Sequence, residues 1–137
     1  MHFASLLSYP AVMVSNKLHA KLAKRSDCPI ATTLDVVGDK WTLLLIRDIA
    51  LFDKHRNKDF QEATENIPSN ILANRLKQLV ETGLIEKCLY QEHPPRYEYY
   101  LTEAGKGLLP VIKAMAKWAE TYIDGITIPK KAKPPRD

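Results

Sequence analysis

The stretch Ile67-Pro68-Ser69-Asn70-Ile71-Leu72-Ala73-Asn74-Arg75-Leu76-Lys77-Gln78-Leu79-Val80-Glu81-Thr82-Gly83-Leu84-Ile85 decides the fold of this chain. Leu72, Leu76, Leu79 and Val80 recur at spacings of four, three and one, which draws one apolar stripe on a helix. The opposite side carries Asn70, Ala73, Asn74 and Lys77, with Arg75 on the flank and no acid before Glu81. Gly83 then predicts the stop, because a residue free to take positive φ is the usual C-terminal cap. A cationic, amide-bearing helix face suits the major groove of DNA, where such side chains meet base edges.

Outward from this helix, residues 57–66 predict a shorter helix with Phe60 and Ala63 inward, and Ile67-Pro68 the turn between the two. Two short helices joined by a tight turn make a helix-turn-helix. On the other side, Leu84 to Gln91 and Arg96 to Thr102 switch to strand-like runs around Glu92-His93-Pro94-Pro95, which predicts a β-hairpin with a proline tip. Upstream, Pro29 opens a helix through about Val37, and Lys40 to Phe52 is the most apolar segment, long enough for a core helix and too short for a membrane span. Downstream, Thr102 caps a helix expected from Glu103 to about Asp124, bent at Pro110. This order predicts a mainly α fold with a small β-hairpin wing, a winged helix-turn-helix.

Length and composition bound this reading. With 137 residues, 45% of them apolar, the chain can fill one core and not two. Residues 28–126 are read as the domain, 1–27 as an N-terminal extension with a short amphipathic helix on Val14, Leu18 and Leu22, and 127–137 as a basic disordered tail. The net charge of +4 belongs to the ends: residues 1–27 and 129–137 each contribute +3, leaving −2 for the rest. Only local clustering therefore argues for DNA, and it is supplied by Arg56, Lys58, Arg75, Lys77 and Arg96. Residues 3–14 lack a basic start and are broken by Pro10, so they are read as non-targeting, and a cytoplasmic location is the expectation.

Catalysis and metal binding find little support. Cys28 and Cys88 are sixty residues apart, and His2, His19, His55 and His93 form no ligand spacing. No cofactor is expected. The expected DNA-contacting set is Lys58, Ser69, Asn70, Asn74, Arg75, Lys77 and Arg96, with Ser69 also a candidate helix cap. For each of these, a solvated surface role is the competing explanation, as is an ion pair of Arg75 with Glu81 or another acid. Two other classes stay open: a winged-helix module that binds a protein partner, and a thiol-dependent enzyme using Cys28.

The blocks Cys28-Pro29, Gly38-Asp39-Lys40-Trp41, Ala73-Asn74-Arg75-Leu76, Gly83-Leu84-Ile85, Pro94-Pro95-Arg96-Tyr97-Glu98-Tyr99 and Leu101-Thr102-Glu103-Ala104-Gly105 resemble, in this order, the HxlR-type transcriptional regulators. The resemblance covers about 28–120. It implies a MarR-related homodimer whose N-terminal and C-terminal helices form the dimer interface, bound to a near-palindromic operator. It also implies that Cys28 is where an oxidant or electrophile would act, with inert packing or capping as the competing role. A small-molecule effector against Trp41, Trp118 and Tyr122 is a further implication. The chain departs from the family in its long N-terminal extension, in Pro68 before the key helix, and in Arg56-Asn57 where an Arg-Phe pair is usual.

Overall fold

The computed structural model describes residues 25–127. The expected amphipathic helix near Val14 to Leu22 and the basic tail from 128 onward lie outside the described residues. Within them the elements are α1 (Pro29–Val37), α2 (Thr42–Leu51), α3 (Asn57–Gln61), α4 (Ser69–Thr82), β1 (Ile85–Gln91), β2 (Arg96–Leu101), α5 (Glu103–Lys106) and α6 (Leu109–Tyr122). The architecture is the expected winged helix-turn-helix.

Local chemistry sets the boundaries. Proline opens α1 at its first turn, where a missing N–H costs least. The start of α2 falls at Thr42 because the Asp39 carboxylate accepts from the N–H groups of Trp41 and Thr42, at 2.9 and 3.0 Å. Gly83 ends α4 with φ +87, and Leu84 N–H returns to the Leu79 carbonyl at 2.9 Å.

Three boundaries differ from the sequence reading. Helix α3 ends at Gln61 and not near Asn66; the chain instead turns through Asn66 at φ +55, which delivers Ile67 into the core. Helix α4 begins one residue earlier than a Ser69 cap requires. Pro68 is the capping position, its carbonyl accepting from Leu72 N–H at 2.9 Å, and the Ser69 side chain makes no cap bond. The last helix is two helices broken at Gly107 and Leu108, so Pro110 lies in the first turn of α6 and imposes no bend. The Thr102 hydroxyl does cap α5, accepting from Gly105 N–H at 3.2 Å.

The core gathers Val37, Leu45, Ile46, Ile49, Phe60, Ile67, Leu72, Leu76, Leu79, Leu84 and Ile85. The stripe read from the sequence of α4 is therefore the face that anchors it. Arg47 adds a polar tie, donating to Asp48 at 2.7 Å and to Glu65, in the turn before α4, at 2.9 Å. Burial pushes the Asp48 carboxyl up despite Arg47, while Arg47 holds Glu65 below its usual value. The hairpin pairs antiparallel from Ile85 opposite Leu101 to Gln91 opposite Arg96, with a bulge between Leu89 and Gln91. Among the described residues, no helix is long and apolar enough to cross a membrane.

Candidate nucleic-acid interface

Because Leu72, Leu76 and Leu79 are buried, helical geometry turns Ser69, Asn70, Ala73, Asn74 and Lys77 outward, and all five are exposed. No hydrogen bond or ion pair within the described residues engages the side chains of Ser69, Asn70 or Lys77. Arg75 is different. Its Nε donates to Asp39 at 2.9 Å and its Nη1 donates to the Asn74 side-chain oxygen at 2.6 Å. The acid that pairs with Arg75 is thus Asp39, thirty-six residues upstream, and not Glu81.

Asp39 is the hub of this corner. It accepts from Arg75, from the backbone of Trp41 and Thr42, and from the Thr42 hydroxyl. Partial burial alone would raise its carboxyl, but the bonds from Thr42, Trp41 and Arg75 outweigh that and hold it below the usual carboxylate range. With its oxygen accepting from Arg75, Asn74 leaves its amide N–H groups turned to the exposed side of α4.

The wing completes the surface. A groove of about 480 Å³ opens between the start of α3 and the wing tip, lined by Lys58, Tyr90, Arg96 and Tyr97 among others. A second, of about 290 Å³, runs between α4 and the wing, where Lys77 and Lys87 meet. The two share Asn57 and Tyr99, so they adjoin. Lys58 and Arg96 have no ion pair among the described residues. Lys87 lies 4.1 Å from the Tyr97 ring centre, a cation–π distance. Sequence reasoning missed Lys87 and Asn57. The period-two pattern of β1 placed Lys87 on a strand, but which face met α4 depended on the hairpin's pairing.

Arg56, which contributed to the basic cluster in the sequence, is committed to the protein itself. It donates to Glu98 at 2.9 Å and lies 3.9 Å from the Tyr90 ring centre. Both cysteines are free and exposed. Cys28 precedes the first turn of α1, its N–H donating to Ser26 Oγ at 3.2 Å. Local desolvation, with Glu86 and Glu98 nearby, pushes the Cys88 thiol up. Trp41 packs against the core, and Trp118 and Tyr122 pair at 5.8 Å on the exposed side of α6. Among the described residues, no cluster of three or more metal-ligating side chains occurs.

A family model for the HxlR-like helix-turn-helix matches residues 36–127. A protein described as the HTH-type transcriptional regulator YdeP of Bacillus subtilis is 38% identical over 99 residues, which are 72% of this chain and 77% of that one. The regulator Rv3095 of Mycobacterium tuberculosis is 38% identical over 96 residues, 69% of this chain; the chain spans only 58% of that longer relative. Among solved structures, a MarR-family regulator from Porphyromonas gingivalis superposes with a TM-score of 0.63 at 35% identity, covering 72% of this chain and 95% of that one. The redox regulator HypR in its reduced form gives 0.62 at 33% identity, covering 71% and 95%.

Proposed function

The chain belongs to the HxlR-like helix-turn-helix family of transcriptional regulators, and from that premise we propose that it binds a near-palindromic operator in double-stranded DNA as a homodimer. The observation that carries this reading is the outward face of α4. Ser69, Asn70, Asn74 and Lys77 are all exposed there, beside grooves rimmed by Lys58, Lys87 and Arg96. In this reading Ser69, Asn70, Asn74 and Lys77 meet base edges or the groove floor, while Lys58 and Arg96 hold phosphates. Arg75 reaches a phosphate only on leaving Asp39; until then it orients Asn74.

The dimer reading rests on the two ends of the described chain. Ile30 and Leu34 on α1, and Met115, Trp118 and Tyr122 on α6, are each more than half exposed. Apolar side chains concentrated in this way on two helices favour burial against a second copy. Residues 28–126 act as the functional unit, with 1–27 and 127–137 as appendages. The regulator works in the cytoplasm, where its DNA lies. Cys28, exposed at the start of α1, is the entry point for an oxidant or electrophile, because a modification there falls beside the proposed subunit interface.

Selection of fragments of the source genome by the purified full chain, with and without oxidant, tests the proposal. Enrichment of an inverted repeat, lost on oxidation in the parent and retained in Cys28→Ser, is the expected result. Enrichment that ignores oxidant removes the role of Cys28. No enrichment, with salt-insensitive binding to any duplex, removes the DNA reading.

A further inference from the structure

We propose that His55 is a positioning residue for the wing: the loop of residues 53–56 acts as a bracket that fixes the angle at which the hairpin presents Arg96 beside α4. The inference deepens the DNA-binding reading given above and rests on it for the role of Arg96.

A two-stranded hairpin has little stability of its own in water, so an exposed wing takes its orientation from whatever holds it. Beyond Ile85, every residue of β1 is partly or fully exposed. The bracket grips three successive residues of β2. Tyr99 N–H donates to the His55 carbonyl at 2.8 Å, and His55 Nδ1 faces the Tyr99 carbonyl at 2.9 Å. That exchange resembles a strand pair, with an imidazole nitrogen in place of the second backbone donor. Tyr100 stacks on the His55 ring, with centres 4.3 Å apart and planes inclined by 23°. Glu98 accepts from Arg56 at 2.9 Å, and Arg56 also covers Tyr90 on β1.

The bracket is itself held. His55 Nε2 faces Asp53 Oδ1 at 2.8 Å, and Asp53 takes a left-handed φ of +52, a conformation aspartate tolerates better than most residues. Lys54 N–H donates to the carbonyl of Asp48, a buried residue of α2, at 3.1 Å. The two ring nitrogens of His55 thus each face an oxygen, one a backbone carbonyl and the other a carboxylate. No other side chain supplies two opposed ring nitrogens and a flat face in one ring. These links run from the core helix through His55 to the strand that begins with Arg96.

Two variants test this. His55→Phe keeps a ring on Tyr100 and removes both ring nitrogens, and Glu98→Gln weakens the Arg56 arm. In amide hydrogen exchange, both should speed exchange in β1 and β2 by about tenfold while α2 and α4 stay unchanged. Binding to a short random-sequence duplex at low salt then tests the consequence for Arg96. Arg96→Ala should weaken binding by several-fold in the parent and by less than about twofold in the His55→Phe background, a non-additivity that general destabilisation does not produce. Unchanged wing exchange in His55→Phe, uniform acceleration throughout the domain, or additive losses would each overturn the proposal. If Arg96→Ala has no effect in the parent, the DNA role of Arg96 fails, while wing exchange still decides whether the bracket exists.

Discussion

Replacing Asp39 separates two duties that meet at one carboxylate. Asp39→Ala removes the acceptor for the first N–H groups of α2 and the partner of Arg75 together. Loss of such a cap costs about 1 kcal/mol, and an ion pair whose side chains are about a quarter exposed adds roughly 0.5 kcal/mol. The sum, about 1.5 kcal/mol, lowers the melting temperature by roughly 5–8 °C for a domain of this size. Asp39→Asn keeps an oxygen for the cap and deletes only the charge, so it should lose about a third of that. Because Asp39 is held below the ordinary carboxylate range, its contribution is present at neutral pH and disappears as pH falls through the lowered value. The parent and Asp39→Asn melting temperatures should therefore converge on acidification. On DNA, Asp39→Asn frees Arg75, and the dependence of log affinity on log salt should steepen by about one unit. Thermal melts from neutral to acid pH and a salt titration of duplex binding check both limbs. Equal melting temperatures for the Ala and Asn variants would refute the capping argument. A shallower salt slope in Asp39→Asn would refute the claim that Asp39 withholds Arg75 from phosphate.

Other positions make independent tests. Lys77→Ala should reduce the salt slope of DNA binding by about one unit if it neutralises a phosphate, and leave the slope unchanged while altering base preference if it reads the groove floor. Asn74→Ala should relax selectivity at one base position more than it lowers overall affinity, which a randomised-site selection would reveal as a flattened column. Gly105→Ala would drive a methyl group to 2.2 Å from the Leu84 carbonyl, so denaturant melts should show a loss of about 2–3 kcal/mol. Trp118→Glu on the exposed face of α6 should leave the monomer fold intact by circular dichroism and shift the sedimenting species to half its mass.

The sequence pattern revealed the core elements and left the connections hidden, for a physical reason. Periodicity reports which residues share a face, so the Leu72, Leu76, Leu79 stripe and the Gly83 stop were legible, as was the strand rhythm beyond Leu84. It does not report what covers that face. Met115 falls on the apolar stripe of the last helix yet is exposed, since a stripe that covers a core and one that would cover a second subunit have the same pattern. The exposed polar side of α4 was legible because it is what the buried stripe leaves over. The pairs that tune it were not: Arg75 with Asp39 and His55 with Tyr99 join residues 36 and 44 positions apart. No local rule connects such distant partners; they arise when the core brings α2, α4 and the wing together. Pro110 shows the converse, a correct signal for a break assigned to a bend because the true helix start lay one residue before it.

Thr102 fastens the end of α4 to the start of the C-terminal segment. Its hydroxyl donates to the Gly83 carbonyl at 2.6 Å and its N–H to the Leu84 carbonyl at 3.1 Å, with Gly105 pressed against the same junction. The start of α5 is thus tied to the tail of α4 by two hydrogen bonds, and the break between α5 and α6 falls outside that tie, at Gly107 and Leu108. In the proposed dimer, a rotation at that break would change the gap between the two α4 helices without deforming either one, so the spacing of paired half-sites would be set by a few backbone angles outside α4.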